Sequence, residues 1–376
     1  MKTKLALHQR TLTLHRYPKR NNGTLQAWDA GDEYLINHME ELDITSGKHI
    51  LILNDSFGAL SCWFALNHQV TLMSDSHVAH QATQQNLADN QSNNITLCST
   101  LANIPAHVDY VLMQIPRNNR HLTWQLNQLR LHLGKATPVI AVNKAKEIHS
   151  STLKLFEKYL GSTHTSLAWK KHRLVFSTPD APNAIAVEPI TKWKVEPHNF
   201  ELKNLPNVYS GEKLDQGARF MLEHLPKNLT TERVIDLGCG NGVLSVKLGL
   251  DNPDVSITCV DESYMATASA KENLLDALGS DRQIECITNN CLDGFQTNSA
   301  ELVLCNPPFH QQQAITDHIA WQMFCDAKHV LCNDGKLLVI GNRHLGYDVK
   351  LSKLFGKPKV KLIASNKKFV ILQATK

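Results

Sequence analysis

Short apolar runs alternate with longer amphipathic stretches along all 376 residues. In the second half, Val234–Leu237, Ile257–Val260, Ile284–Thr288, Leu302–Cys305 and Leu337–Gly341 are compact aliphatic runs of the kind that fill buried strands. Between them, Ala266–Leu278 and Ile315–Leu331 carry helical spacing. In the latter, Ala320, Phe324, Ala327 and Leu331 form one stripe with Met323 and Val330 alongside, which predicts a core-facing side and nothing more specific. A hairpin over Val360–Gln373, turning at Lys367-Lys368, ends the pattern. Strands alternating with helices predict an α/β fold with a mostly parallel sheet covered on both faces.

The same pattern is written twice. Ile50–Ser61 aligns with Val234–Ser245 at an offset of 184, Val70–Leu87 with Ile257–Leu274 at 187, and Asp109–Pro116 with Glu301–Pro308 at 192. A hairpin over Ser166–Phe176, turning at Lys170-Lys171, answers the one at the end of the chain. Offsets that drift by a few residues suit loop insertions between equivalent elements. The expectation is a duplication, with domains at 1–185 and 200–376. The linker is placed at about 186–199, in a stretch punctuated by Pro179, Pro182, Pro189 and Pro197.

Composition narrows the class. With 42% hydrophobic and 20% charged residues, the chain reads as an ordinary soluble globular protein. The segment Met1–His8 lacks the apolar core of a signal peptide, and no run is long enough to span a membrane. Nine cysteines, none in a Cys-x-x-Cys pair, predict a reducing cytoplasm and no metal site. Charge is uneven: Arg117–Arg173 holds 11 basic residues against only Glu147 and Glu157, whereas residues 191–376 hold 21 of each sign. A basic face in the first half predicts a polyanionic partner. Its candidates are Arg117, Lys144, Lys146, Lys170, Lys171 and Arg173. The sequence does not encode the oligomeric state; a monomer is the expectation.

Candidate chemistry lies in the second half. Asp236-Leu237-Gly238-Cys239-Gly240-Asn241-Gly242 follows a strand and opens a helix, so its glycines allow a sharp turn and close approach of a ligand. The spacing is not that of a dinucleotide loop, and Asp236 suits a cationic amino end better than a pyrophosphate. Asp261 ends the next strand, where a carboxylate can accept both ribose hydroxyls of a nucleoside. Asn306-Pro307-Pro308-Phe309 closes the strand Leu302–Cys305. An aromatic amine has its lone pair delocalised into the ring and attacks an electrophile only when drawn toward sp3 geometry. The Asn306 amide oxygen and the Pro307 carbonyl can each accept one of its N–H bonds, and Phe309 can stack on the ring.

These motifs resemble class I S-adenosyl-L-methionine-dependent methyltransferases that act on exocyclic amines. With Leu167-Ala168-Trp169-Lys170-Lys171 and Gly341-Asn342-Arg343-His344-Leu345, the chain is similar over nearly its whole length to the ribosomal RNA guanine-N2 methyltransferases, and more to the large-subunit than to the small-subunit branch. The resemblance implies two tandem Rossmann-like class I methyltransferase domains, the first degenerate, with S-adenosyl-L-methionine as cofactor and 23S rRNA as partner. It implies methyl transfer to guanine N2, with Asn290 near the donor adenine and Asp215 in a loop closing over the donor. The first half departs from the motif at each chemical position: Asn54 and Ser56 stand for Gly238 and Gly240, Ser74 for Asp261, Gln114-Ile115 for Asn306-Pro307 and Arg117 for Phe309. The residues alone leave open a 16S rRNA target, methylation of DNA or of a protein glutamine, and a non-catalytic RNA-binding or chaperone role.

Overall fold

The computed structural model describes residues 3–19, 25–92, 95–181, 187–308 and 313–376, with the side chains of 313–317 outside the description. The chain divides into two compact units, Met1–Pro189 and Ile190–Lys376.

In the second unit seven strands lie in the order Ile284–Thr288, Ser256–Asp261, Arg233–Leu237, Ala300–Cys305, Leu331–Asn342, Phe369–Thr375, Val360–Ser365. The first five run parallel; Phe369–Thr375 is antiparallel to both its neighbours, so Val360–Ser365 at the edge runs with the first five. Side chains alternate across this sheet as strand geometry requires. Leu302, Leu304, Leu338 and Ile340 join one core, with the helices Gln216–Leu222, Val243–Asp251 and Tyr264–Leu278. Val303, Cys305, Leu337 and Val339 join the other, with Gln313–Val330 and Tyr347–Phe355. The stripe Ala320, Phe324 and Ala327 is buried there, but Leu331 opens the following strand and does not end the helix.

The first unit repeats the order: Ile95–Ser99, Gln69–Ser74, His49–Leu53, Tyr110–Gln114, Val139–Lys144, His172–Ser177, Thr163–Thr165. Again one strand, His172–Ser177, runs antiparallel to both its neighbours, and the other six share one direction. Each unit also opens with a two-stranded hairpin, Lys4–Leu7 with Arg10–Thr13 and Thr191–Val195 with Phe200–Asn204. The second hairpin lies across the stretch read as linker. Thr-Lys-Trp-Lys-Val alternates as a strand should, and Val195, Phe200 and Leu202 are buried in the second unit's core.

Small devices recur at matching positions. Asn273 donates from Nδ2 to the carbonyls of Lys203 and Asn241, both at 2.9 Å, and accepts from the Lys203 N–H at 2.7 Å. Asn86 does the same with His15 and Phe57, donating at 2.8 Å to each carbonyl and accepting from the His15 N–H at 2.9 Å. Both amides tie the opening hairpin to the loop after the first parallel strand. Each is buried and fully bonded, which is the condition under which an interior amide stabilises. Ser76 and Ser263 cap the next helix, each accepting from the N–H three residues on at 3.1 Å.

Candidate active site

The strand Arg233–Leu237 lies between Ser256–Asp261 and Ala300–Cys305. The chain leaves it in one direction and returns on the other side, so a crevice opens at the carboxyl ends, where α/β sheets bind ligands. Gly238 and Asn306 face each other across it, because Leu237 pairs with Cys305.

The loop is built by backbone conformation. Gly238, Gly240 and Gly242 have φ of +76°, +53° and +77°, a region that costs side chains with a Cβ about 1–2 kcal/mol. The N–H groups of Gly238 and Cys239 both reach the Val260 carbonyl, at 2.8 and 3.1 Å. A Cβ on Gly242 would meet Ala270 at 3.1 Å, so that glycine serves helix packing. A Cβ on Gly238 would lie 3.0 Å from the mobile end of Met323 and 3.9 Å from the Asn306 carbonyl. At Gly240 nothing stands within 4 Å of that direction, so bare backbone faces open space.

Two carboxylates flank the loop. Asp261 accepts from the Gly240 N–H at 2.9 Å and the Ser263 N–H at 3.0 Å, and burial pushes its carboxyl up. Asp236 accepts from the Ser245 hydroxyl at 2.7 Å on one oxygen; its other oxygen is buried without a partner among the described residues. Burial pushes the Asp236 carboxyl up to about 6. Such a group invites a cation, which would let it ionise.

Asn306 follows Cys305, and its Oδ1 is likewise buried without a partner among the described residues. Pro307 is buried and Pro308 exposed, while Phe309 lies outside the described residues. A buried acceptor left unmatched costs about 1–3 kcal/mol, so the free site is primed for an N–H donor. Burial holds the neighbouring Cys305 thiol well above its usual range, so it stays protonated and is no nucleophile. Asn290 is buried and gives its NH2 to Asp293 at 2.7 Å. Asp215 is the N-cap of the helix Gln216–Leu222, accepting from the Ala218 N–H at 2.9 Å and the Tyr209 hydroxyl at 3.2 Å.

In the first unit the equivalent crevice is filled by its own side chains. Asn54 keeps a positive φ of +66° where Gly238 stands in the second unit. Its Nδ2 crosses to the Gln114 carbonyl at 2.9 Å, and it exchanges two hydrogen bonds with Gln125, each 3.0 Å. Asp55 fills the head of the following helix, accepting from the N–H groups of Gly58, Ala59 and Ser61 and from the Ser61 hydroxyl within 2.9–3.1 Å. The Gln114 side chain donates to the buried Asp32. Ser74, at the position of Asp261, is buried.

Basic candidates collect at this carboxyl edge. Lys144 ends its strand and pairs in register with His172, beside the turn Lys170-Lys171. Arg117, Lys144, Lys146, Lys170 and Lys171 are exposed, and Arg173 is half-buried. They are not equivalent. Lys170 is bound to Glu33 at 2.6 Å and lies 4.3 Å from the Trp169 ring centre, so its charge is largely spent inside the unit. Lys146 lies 3.7 Å from Glu147. Sequence spacing cannot show such pairing, because Glu33 lies 137 residues from Lys170. One residue absent from the sequence-based candidates belongs beside the site: Asn342, at the end of the strand next to Asn306, also has a buried Oδ1 without a partner among the described residues.

Residues 2–181 match the family described as RLMG N-terminal domain, and residues 199–373 match the Methyltransferase small domain. The Ribosomal RNA large subunit methyltransferase G of Vibrio parahaemolyticus is 67% identical over 376 residues, covering 100% of this chain and 98% of that protein. Its Vibrio cholerae counterpart is 64% identical, with 100% of both chains covered. Among solved structures, a T. thermophilus 16S rRNA N2 methyltransferase in complex with AdoMet and guanosine superposes with a TM-score of 0.78, at 19% identity, covering 100% of this chain and 97% of that one. That last likeness speaks for the fold alone, a class I methyltransferase α/β fold with two mixed sheets. The family is shown by full-length identity above 60% to curated relatives and by the two family matches: the chain is a member of the ribosomal RNA large subunit methyltransferase G family.

Proposed function

We propose that this chain transfers a methyl group from S-adenosyl-L-methionine to the exocyclic N2 of one guanine in 23S rRNA. The observation that carries the reading is the buried Asn306 amide oxygen, unpartnered among the described residues, on a residue whose backbone carbonyl lies beside Gly238, next to a glycine loop with open space over Gly240. The residues fit the donor: an orphaned acid for its cationic amino end, a strand-end carboxylate for its ribose, and bare backbone between them. When bound, S-adenosyl-L-methionine supplies an electrophilic methyl group.

This chain's residues do the rest. Asp236 ionises against the amino-acid end of the donor, and Asp261 accepts from its ribose hydroxyls. The Asn290 carbonyl accepts from its adenine, and the helix capped by Asp215 borders the loop that covers it. Asn306 Oδ1 and the Pro307 carbonyl each accept one N–H of the guanine amine, drawing its lone pair out of the ring. Pro308 keeps competing N–H donors away, and Phe309 stacks on the base. Catalysis is then orientation plus stabilisation of charge developing on nitrogen.

The first unit is a degenerate copy of the second, descended from a duplication. Identical strand order and the paired Asn86 and Asn273 clamps support this reading. It binds no donor, since Asn54, Asp55 and Gln125 occupy the crevice. It grips RNA through Arg117, Lys144, Lys146, Lys171 and Arg173, with Lys170 contributing less.

The test is incubation with labelled S-adenosyl-L-methionine and unmodified 23S rRNA, 16S rRNA, DNA and release factor. Label on guanine N2 of 23S rRNA alone is the expected result. Label on 16S rRNA, or on none of the four, overturns it.

A further inference from the structure

Building on the assignment of Asn306 and Pro307 to the target amine, we propose that Asn342 is a specificity-determining residue whose Oδ1 accepts the N1–H of the same guanine. Three observations lead there. First, Asn306 and Asn342 each hold a buried amide oxygen without a partner among the described residues, and Oδ1 of Asn127 is the other buried asparagine oxygen in that state. Asn127 belongs to the helix Asn119–His132 of the first unit, away from any candidate chemistry.

Second, the two residues share a sheet face. Asn306 continues the parity of Leu302 and Leu304, and Asn342 that of Leu338 and Ile340, all four in one core. Register pairs Leu304 with Leu338 and Cys305 with Val339. Extending it by one residue puts Asn306 beside Ile340, and Asn342 one pleat further along the neighbouring strand. With strands about 4.8 Å apart and about 3.4 Å per residue, their Cα atoms lie on the order of 8 Å apart. Two asparagine side chains span that distance toward one planar base.

Third, Asn342 is held in place. It pairs with Phe369 across the antiparallel ladder. The next residue, Arg343, pins the turn behind it through its N–H to the Lys368 carbonyl at 3.0 Å and its Nη1 to the Asn366 carbonyl at 3.1 Å. A buried acceptor without a partner, on a braced strand end, is a recognition group awaiting its donor.

The chemistry counts out. Guanine presents three N–H donors along its Watson–Crick edge, one on N1 and two on N2. Asn306 Oδ1, the Pro307 carbonyl and Asn342 Oδ1 are three acceptors. Adenine and cytosine offer two amine donors, but their adjacent ring nitrogen is an acceptor and would face the Asn342 oxygen lone pair. Uracil has no amine.

The experiment uses the full chain and an unmodified large-subunit rRNA fragment containing the guanine that the wild-type protein methylates. The fragment is assembled by ligation with either guanine or 2-aminopurine at that position; 2-aminopurine keeps the amine but has a bare ring nitrogen in place of N1–H and lacks O6, so the change of preference in the Asn342 variants is what reports the N1 contact. Wild-type protein prefers guanine by about 100-fold in kcat/KM, the cost of one buried mismatch plus one lost bond. Asn342→Leu lowers the rate on guanine by at least about 10-fold, leaves 2-aminopurine unchanged or faster, and collapses the preference. Asn342→Ser, with a withdrawn oxygen, gives the same collapse if the leucine variant does not fold. Unaltered donor affinity confirms an intact second unit. Equal losses on both bases, or no loss, reduce Asn342 to a structural role and overturn the proposal. No methylation of the guanine fragment by wild-type protein instead removes the underlying functional reading.

Discussion

The three loop glycines support a sharp test, because the space around each differs. Replacing any one by alanine costs about 1–2 kcal/mol for a left-handed residue carrying a Cβ. At Gly242 the added carbon also meets Ala270 Cβ and Cα at 3.1 and 3.2 Å, a backbone-anchored neighbour that cannot swing aside. Overpacking adds about 1–3 kcal/mol there. At Gly240 the carbon meets nothing within 4 Å, so stability loses only the backbone part. Gly240→Ala is therefore the milder variant by thermal or denaturant unfolding. In donor titration by calorimetry the ranking reverses. The Gly240 carbon stands in the space assigned to the donor and should weaken binding at least about 10-fold, roughly 1.4 kcal/mol. Gly242→Ala, where folded, should bind the donor close to normally. Unchanged donor affinity in folded Gly240→Ala would refute the placement of the donor over that residue.

Asn306→Ala should abolish methylation while leaving donor affinity nearly unchanged and thermal stability equal or raised, since the deleted oxygen is a buried acceptor without a partner among the described residues; single-turnover kinetics beside calorimetry separates the two effects. Asp236, with a folded value of about 6 against 3.8, holds its proton more tightly folded than unfolded, so it costs stability as pH rises from about 4 through about 6. The loss approaches about 3 kcal/mol. Denaturant titrations of Asp236→Asn should show that slope diminished and weaker donor binding at neutral pH; a slope equal to wild type would sink the assignment. Charge reversal of Lys171 with Lys144 should weaken rRNA binding and flatten its dependence on salt, while Lys170→Ala should chiefly destabilise the first unit by leaving the buried Glu33 with only the Trp28 indole N–H as a partner among the described residues. Filter binding over a salt series alongside unfolding curves distinguishes them, and an undiminished salt slope in the double reversal counts against RNA contact at this edge.

Local pattern carried much of this architecture. Strands such as Ile284–Thr288 were legible to the residue because aliphatic runs bounded by polar turns have few alternatives. The two opening hairpins were not. Lys4–Leu7 is too short to show its alternation, and Thr191–Val195 is hidden among prolines. Of the site, the glycine loop, Asp261 and Asn306 stood out because chemistry ties each residue type to a strand end. Asn342 was visible only as part of the motif Gly341–Leu345, with no role attached, since only burial shows that its oxygen is unmatched. Lys170 looked like free charge until folding brought Glu33 to it. Asn86 and Asn273 recur at the 187-residue offset, a signal present in the alignment whose meaning emerged only from the carbonyls they hold.

The amide exchanged between Asn54 and Gln125 has a thermodynamic corollary. A unit whose crevice is stapled shut gains nothing from mass action. Saturating donor at 100 times its Kd adds about 2.7 kcal/mol to whichever part of the chain holds it. On the proposed reading, any melting event confined to Met1–Pro189 should stay at a fixed temperature as donor is added, while melting of the other unit should climb.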